Sequence, residues 1–433
     1  MVDSSNRRQF LTAVGVGSLG LAGCTDMLGS GETDNNGNGN GGGGNGSGGG
    51  SGGTNGEETQ ATPPITDAGE LIDDFEDAES WTPMDESNVA GDGEAALTGS
   101  QALRIENQGT TAGVFQAFPD GLDVSGNHLS LAIRVESPRP TRVRLEIDAP
   151  ARADQLWTSR TVLSSHEGWF RMDAGWTGQR GEPNLGNIQE MRIYVQGQEE
   201  QEIRFWIDDL RMTPAGDQGY VILSFDDGAA SQYERAFPIL EEYGYQGAAA
   251  VIPDSLNRPQ RLSIDQLREM RDAGWDISSH PDPGSGLTEV DLEEARNTIE
   301  SSFEYLTNRG FPDGARHMFV PYHDINQEVM EIVSEYHESC FYFAGNNSNA
   351  PPTDPLYLSR VDMHDVEGFT SLIDMAAQHN QLAVGLAHGV QPEDAEEDDP
   401  LADITTEQLR EVLDYIEQSD VEVITPSQLI DNV

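Results

Sequence analysis

The sequence contains no lysine, and this absence is informative about where the protein works. All 24 basic residues are arginine, against 76 aspartates and glutamates, so the formal net charge is -52. Carboxylates hold a dense layer of water and cations, and molar salt screens their repulsion because the Debye length falls to about 3 Å. The composition therefore indicates a halophile that accumulates salt, an archaeon rather than a bacterium. So acidic a chain also argues against nucleic acid as a partner.

Cysteine and long apolar runs are scarce as well. The chain has two cysteines, Cys24 near the N-terminus and Cys340 in the last third. Once Cys24 is processed, Cys340 has no partner for a disulfide, and we expect it to be a buried, unreactive thiol. The apolar run over residues 11–23 is too short to span a bilayer.

The first 65 residues predict an export signal followed by a tether. Residues 6–11, Asn-Arg-Arg-Gln-Phe-Leu, resemble the twin-arginine export motif, and residues 21–24, Leu-Ala-Gly-Cys, resemble a lipoprotein box. We expect residues 1–23 to be a signal peptide, cleaved before Cys24, which then carries a lipid on the outer face of the cytoplasmic membrane. The alternative is an incidental cysteine in a discarded peptide. Residues 24–65, rich in Gly, Asn and Ser, predict a disordered linker.

Residues 66–213 predict an antiparallel β-sandwich. Runs such as 128–135 and 141–147 place apolar residues at every second position, and Gly, Pro, Asp and Asn turns separate the runs. Several such strands without helices are typical of a sandwich. The opening Ile-Asp-Asp-Phe-Glu at 72–76 and the closing Phe-Trp-Ile-Asp-Asp-Leu at 205–210 resemble jelly-roll carbohydrate-binding modules.

This sandwich has two sets of candidate binding residues. Trp206 and Tyr194 fall on the outward face of their strands, where a flat aromatic ring can stack on a sugar. The competing interpretation is that both pack against the next domain. Asp74, Glu76 and Asp208 are hard oxygen ligands at the ends of the sandwich, where similar modules hold a structural calcium. Their alternative is a plain acidic surface.

From residue 214 to residue 433, strand and helix patterns alternate, which predicts a parallel sheet flanked by helices. Ser263 and Gln266, for example, form a capping box at the start of one helix. The strand 221–225 runs directly into Asp226 and Asp227. Neighbouring side chains on a strand point to opposite sides, so one carboxylate can bind a metal while the other accepts a proton.

Three segments of this half resemble the polysaccharide deacetylase family, also called the NodB homology domain or carbohydrate esterase family four. They are the pair Asp226-Asp227, the strand end at His280, and the Leu-Ala-His segment that ends at His388. The resemblance implies an irregular, incomplete (β/α) barrel with its site at the C-terminal ends of the strands. It also implies that Asp226 is the general base, that Asp227 and His280 bind a divalent metal, zinc by preference, and that His388 is the general acid.

A further segment, residues 320–322 (Val-Pro-Tyr), matches the motif that is third in the family's order along the chain. The resemblance implies that this motif contributes a backbone N–H to the oxyanion site and that its side chains, those of Pro321 and Tyr322 among them, line the substrate groove. Leu386, in the segment that ends at His388, is expected to line the same groove.

The chain departs from the family at its metal site. Gly284 stands where the family has its second histidine ligand, four residues after His280. Catalytic zinc normally has three protein ligands, so Asp227 and His280 need another group. Asp282 and His323 are the candidates for that third position.

The chain also departs from the family in the residues that orient the base and the acid. Phe319 stands where the family has the arginine that orients the base. Arg360 is the candidate replacement, and its alternative is a surface ion pair. Asp362 is the candidate to orient His388.

The sequence as a whole predicts a metal-dependent hydrolase that removes acetyl groups, N-acetyl rather than O-acetyl, from an extracellular polysaccharide. Two alternatives stay open. One is a non-catalytic, glycan-binding surface lipoprotein built on a degenerate barrel. The other is an amidohydrolase of small amides that are not sugars.

Overall fold

A computed structural model describes residues 68–395 and 399–433 of the chain, without the side chains of residues 198–200. The predicted signal peptide (1–23), the lipidation site at Cys24 and the predicted linker (24–65) lie outside the described residues. None of the helices within the described ranges has the length and apolar character that a bilayer crossing requires.

The first part of the described chain is an antiparallel sheet of ten strands. They are β1 (Glu70–Asp73), β2 (Thr82–Met84), β3 (Asn88–Asp92), β4 (Ala102–Leu122), β5 (Asn127–Ser137), β6 (Thr141–Asp148), β7 (Gln155–Val162), β8 (Trp169–Asp173), β9 (Gly178–Arg180) and β10 (Ile188–Pro214). The long strands β4 and β10 pair along most of their length. At one end β10 also pairs with β6, and at the other with β5 and β1.

The ten strands enclose a common core, which confirms the predicted antiparallel sandwich. Alternate residues of each strand point into it because side chains on a strand face opposite sides in turn. Val143 and Leu145 of β6, Ile193 of β10 and Ile133 of β5 are all fully buried there.

The second part of the chain alternates strands and helices, as predicted. Its strands are β11 (Gly219–Phe225), β12 (Ala248–Val251), β13 (Asp276–Ser279), β14 (His317–Phe319), β15 (Ser339–Phe343), β16 (Ser348–Asn349), β17 (Leu358–Asp362), β18 (Gln381–Ala387), β19 (Gly389–Gln391), β20 (Ala402–Thr405) and β21 (Val421–Val423). Its helices are α1 (Phe237–Tyr243), α2 (Ile264–Asp272), α3 (Leu292–Asn308), α4 (Pro312–Ala315), α5 (Gln327–Tyr336), α6 (Val366–His379), α7 (Thr406–Gln418) and α8 (Pro426–Asn432). The capping box of Ser263 and Gln266 begins α2, as expected.

Parallel pairing closes these strands into a barrel. The order β11-β12-β13-β14-β15-β17-β18 returns to β11 through direct β18–β11 pairing. The described residues thus form a ring of seven strands instead of the eight of a regular (β/α) barrel, which confirms the irregular barrel. Because all seven are parallel, their C-terminal ends meet at one rim. Asp226, His280 and His388 each follow the last residue of a strand at that rim.

The sandwich and the barrel share buried polar contacts. The Asp173 carboxylate accepts a hydrogen bond from the Asn349 backbone N–H at 3.0 Å. Gln381 Oε1 accepts one from the Trp176 N–H at 2.9 Å. Buried polar groups that satisfy one another across a boundary fix its geometry, since separating them would leave them unpaired. Cys340, on β15, is a free and fully buried thiol, as expected, and burial raises its pKa.

Candidate active site

The base candidate Asp226 is bonded to a buried arginine. Arg360 Nη1 donates to Asp226 Oδ1 at 2.7 Å, and Arg360 Nη2 donates to Oδ2 at 2.9 Å. The Asp226 residue is 2% exposed and Arg360 0%. The Phe319 ring lies under the guanidinium, 5.0 Å from its central carbon. The structure thus brings Arg360, from β17, to the Asp226 carboxylate. The Phe319 ring packs against the guanidinium of this Arg360–Asp226 pair.

This pair keeps Asp226 ionised. Burial raises the pKa of the Asp226 carboxyl. The charges of Arg360, His280 and His388 lower it by more than burial raises it, so the pKa is about 2. A two-point guanidinium contact occupies one lone pair on each carboxylate oxygen and leaves the others available to accept a proton.

Asp227 and His280 are placed as a ligand pair for a divalent cation. Asp227, two residues after the end of β11, takes a left-handed backbone conformation with φ of 69°. Its Oδ1 lies 3.4 Å from His280 Nε2, close to the separation of two ligands bound about 2 Å from one zinc ion. His280 Nδ1 lies 2.8 Å from the Phe319 carbonyl oxygen. Donation to that carbonyl places the ring proton on Nδ1 and leaves Nε2 for the ion.

The third metal ligand is not supplied by the predicted residues as placed. Within residues 68–395 and 399–433, no three His, Cys, Asp or Glu side chains gather closely enough to hold a metal ion. Asp282 does not join the pair, because its Oδ1 accepts from the Gly284 N–H at 2.7 Å and its Oδ2 from the Tyr322 hydroxyl at 3.4 Å. His323 has a buried Nδ1 without a hydrogen-bond partner, and burial lowers its pKa to about 3. The donors that are present fit two positions of an ion.

The acid candidate His388 emerges beside Asp226. Phe225 of β11 pairs with Ala387 of β18, so the residues that follow them, Asp226 and His388, leave adjacent strands together. The carboxylate that orients His388 belongs to Asp403, whose Oδ2 lies 2.6 Å from Nδ1 and whose Oδ1 accepts from the His388 N–H at 2.8 Å. The expectation that Asp362 takes this role is therefore corrected.

Asp403 determines the protonation state of the acid. Burial lowers the pKa of His388, but the hydrogen bond to Asp403 and the nearby charge of Asp226 raise it by more, to about 9. The imidazole is therefore protonated at neutral pH and has a proton to give. Asp403 was missed from the sequence because it lies on β20, fifteen residues beyond His388, and reaches it only through β19–β20 pairing.

We predict that Asp403→Asn lowers the pKa of His388 from about 9 toward the ordinary histidine value of about 6.5. The amide keeps the size of the side chain but removes the negative charge that stabilises the imidazolium. An NMR titration of the His388 ring protons measures the change. Glu407→Gln, an exposed neighbour on α7, is the control and should leave the pKa in place. An unchanged His388 pKa in Asp403→Asn would show that Asp403 does not stabilise the protonated imidazole of His388.

A second residue missed from the sequence is Gln232. Its side-chain Nε2 donates to the Asp226 carbonyl at 2.6 Å and to the His388 carbonyl at 2.8 Å. The residue is fully buried and begins a π-helical turn, Gln232–Ala236, a type of turn frequent at functional sites. The Gln232 side-chain amide is therefore hydrogen-bonded to both strand ends, the one with the base candidate Asp226 and the one with the acid candidate His388. Nothing in the local pattern around Gln232 indicates this role.

The residues predicted to form the oxyanion site and groove differ in exposure. Tyr322 is 60% exposed and, like His323, has a positive φ of 54°, so the chain after the buried Pro321 turns sharply at the rim. Leu386 is only 1% exposed. It therefore contributes to the packing of β18, and the exposed lining at this point belongs to Tyr322.

The two predicted sugar-stacking residues of the sandwich are not open platforms. Trp206 is 6% exposed because it packs with Trp169 under the loop around Leu97, and its Nε1 donates to Asp92 at 3.0 Å. The prediction of an open ring at Trp206 is therefore wrong. Tyr194 is half-buried, and its hydroxyl donates to Glu146 at 2.6 Å.

The predicted calcium ligands bind the protein itself. Asp208 is fully buried, and its carboxylate accepts from the Leu97 and Thr98 N–H groups, both at 3.0 Å. Glu76 accepts from the Ser100 N–H, and Asp74 accepts from the Glu76 N–H at 3.2 Å. Asp208 and Glu76 thus anchor the loop that covers Trp206. The three carboxylates do not assemble as one ion-binding group within the described residues.

Part of the barrel is similar to a known protein family. Residues 214–338 match the family model named Polysaccharide deacetylase. The Bacillus subtilis (strain 168) protein named "Putative polysaccharide deacetylase YxkH" is 35% identical over 60 residues, which are 14% of this chain. The match spans about a fifth of that relative, 22% of its length.

Solved structures show only weak similarity to this chain. The Xyl-CE4 domain of a multidomain xylanase from the hindgut metagenome of Trinervitermes trinervoides is 15% identical, with a TM-score of 0.36 over 50% of this chain and 91% of that one. The peptidoglycan deacetylase PdaC of Bacillus subtilis, mutant D285S, is also 15% identical, with a TM-score of 0.34 over the same shares. A family 11 carbohydrate-binding module of the Clostridium thermocellum cellulase Lic26A-Cel5E is 19% identical, with a TM-score of 0.27 over 34% of this chain and 96% of that one.

The family match includes Asp226, Asp227 and His280, and it ends before Arg360 and His388. The last two residues are assigned to the site by their contacts with Asp226 and Asp403. Residues 214–338 of this chain thus match the polysaccharide deacetylase family model, as the sequence motifs predicted.

Proposed function

We propose that the protein is a hydrolase that removes acetyl groups from a polysaccharide outside the cell, N-acetyl in preference to O-acetyl. The observation that carries the proposal is the pairing of Phe225 with Ala387, which sets an ionised Asp226 beside a protonated His388. A base and an acid whose pKa values are pushed apart are what amide hydrolysis requires. The family match of residues 214–338 supports the same chemistry.

In the proposed reaction, water adds to the acetyl carbonyl while Asp226 accepts a proton from that water molecule. Arg360 holds the carboxylate in place and ionised. His388 then gives its proton to the leaving nitrogen as the carbon–nitrogen bond breaks, which releases acetate and a free amine. The need to protonate an amine is why a histidine with a pKa of about 9 favours N-acetyl substrates. A backbone N–H at Tyr322 is the candidate donor to the oxyanion.

Asp227 and His280 would hold the divalent cation that the family implies. A bound cation lowers the pKa of a water molecule and polarises a carbonyl. The chain itself presents two donors 3.4 Å apart, so we expect weaker retention of the ion than at a site with three protein ligands. Twin-arginine export and lipid attachment at Cys24 remain part of the proposal, because they would place the enzyme next to cell-surface glycans.

The test is acetate release by the full-length protein in molar salt. The substrates are N-acetylated polysaccharides, O-acetylated polysaccharides and small acetylated amides without a sugar. The proposal expects acetate and free amino groups from the N-acetylated polymers, a loss of rate after chelation, and its return when zinc is added. Binding of a polymer without acetate release would identify the non-catalytic glycan-binding protein, and release from the small amides alone would identify the other amidohydrolase.

A further inference from the structure

Arg160, a side chain of the sandwich, is hydrogen-bonded to the barrel next to the strand that carries Arg360. Arg160, on β7, is fully buried. Its Nη2 donates to the Tyr342 hydroxyl at 2.6 Å and to the Tyr357 carbonyl at 2.8 Å. Tyr342 lies in β15, and Tyr357 comes immediately before β17. One guanidinium of the first domain is therefore bonded to β15 of the second domain and to the residue that leads into β17.

The backbone next to Arg160 is connected to Arg360 by a second set of hydrogen bonds. The Thr161 N–H donates to the Ala344 carbonyl at 2.8 Å. The Arg360 carbonyl in turn accepts from the Ala344 N–H at 3.3 Å and from the Gly345 N–H at 3.1 Å. Phe343 pairs with Arg360 in the β15–β17 register. The main chain at Arg360 is thus bonded to residues 344–345, and Ala344 is bonded in turn to β7.

Aromatic packing surrounds these bonds and leaves little room for a hinge. The Arg160 guanidinium lies over the rings of Tyr342 and Phe170, at 5.4 and 5.7 Å from their centres. His166 stacks on Tyr357 with 5.6 Å between ring centres and an angle of 10°. Both Phe170 and His166 belong to the sandwich. Close-packed rings of this kind transmit a displacement instead of absorbing it.

We propose that the sandwich is part of the catalytic scaffold and that Arg160 is a positioning residue, which fixes β15 and β17 and through them the Arg360–Asp226 pair. The inference rests on the proposed function in one respect, the catalytic importance of that pair. A module that served only to hold polymer would affect polymeric substrates alone. The scaffold role predicts an effect on small soluble substrates as well.

The experiment compares Arg160→Met with Arg142→Met in the full-length protein. Arg142 is an exposed residue on the neighbouring strand β6, so the control removes the same charge without a buried partner. On a soluble acetylated oligosaccharide, we expect Arg160→Met to lower kcat by about tenfold to a hundredfold with KM nearly unchanged, because a small misplacement of a catalytic group has effects of that size. Arg142→Met should leave both constants at the wild-type values.

A readout independent of activity is hydrogen exchange of the Ala344 and Gly345 amides, which bond to the Arg360 carbonyl. Exchange should become faster in Arg160→Met and stay unchanged in Arg142→Met. If Arg160→Met does not fold, Tyr342→Phe carries the test, because it removes only the hydroxyl that accepts from Arg160. Arg160→Lys, which keeps one donor, should restore part of the protection. Unchanged exchange in both Arg160→Met and Tyr342→Phe would overturn the inference. A wild type without acetate release would refute the proposed function and leave this measurement valid.

Discussion

Arg360→Met is expected to abolish most of the activity and to destabilise the fold. The substitution leaves the buried Asp226 carboxylate without its two hydrogen bonds, and breaking a buried ion pair from one side costs about 3–5 kcal/mol. The carboxyl then takes up a proton and no longer serves as a base, so kcat for acetate release should fall by about 10²–10⁴. Denaturant unfolding and acetate release in molar salt measure the two effects.

The control for Arg360→Met is Arg309→Met, an exposed arginine after α3. A surface arginine with no buried partner contributes little, so this variant should lie within about 0.5 kcal/mol of wild type. If Arg360→Met were as stable and as active as Arg309→Met, the Arg360–Asp226 pair would not be the support of the base.

The same pair gives stability that depends on pH. The Asp226 pKa is lowered from 3.8 to about 2 in the folded protein, so the folded state favours the ionised carboxylate. The linked stabilisation, about 2 kcal/mol, is present above pH about 4 and is lost as the pH falls toward about 2. Acid unfolding of wild type should show this loss, and Arg360→Met should lack it.

His388→Gln is expected to have the second large effect. Glutamine keeps a polar group of similar length but has no proton to give to a leaving amine, so kcat should fall by about 10²–10⁴. The His388 pKa is raised to about 9, so the acid is protonated below that value. The wild-type kcat should therefore decline as the pH rises through about 9, and this limb should be absent in His388→Gln.

His364→Gln is the matched control for this acid, because His364 is an exposed histidine near the same rim. It should keep the wild-type rate and the alkaline limb within about twofold, as expected of a surface substitution. An alkaline limb that persists in His388→Gln would assign the acid to another group.

The sequence predicted the parts of the site that depend on local pattern. Strand alternation separates Asp226 from Asp227, and apolar runs that end in a polar residue mark His280 and His388 as rim positions. Parallel strands then bring these residues to one end of the barrel without further information. The family resemblance supplied their roles.

Contacts between distant segments were beyond the sequence. Asp403 reaches His388 through a strand pair that no periodicity specifies, and Gln232 acts through its amide on two backbone carbonyls. Arg160 connects two domains whose packing is set by the shapes of their surfaces. The local pattern around each of these polar residues does not identify its partner, because periodicity reports a face and not its neighbour.

Trp206 shows the limit of the alternation rule itself. The rule placed its ring on the outer face of the sandwich, opposite the buried Phe205 and Ile207. The loop anchored by Asp208 at Leu97 and Thr98 then covers that face. Alternation tells which side a residue lies on, and only the fold tells whether another segment covers it.

Acetate release by wild type and by Asp226→Asn, assayed side by side on an N-acetylated oligosaccharide in molar salt, tests the central claim most directly. Asparagine preserves the size of the side chain and keeps one oxygen for Arg360, so the variant should be less stable than wild type but still folded, which its unfolding midpoint checks. The expected result is acetate release by wild type and a rate lower by about 10²–10⁴ in Asp226→Asn. Equal rates for the two folded proteins would contradict the assignment of Asp226 as the base and, with it, the proposed hydrolytic site.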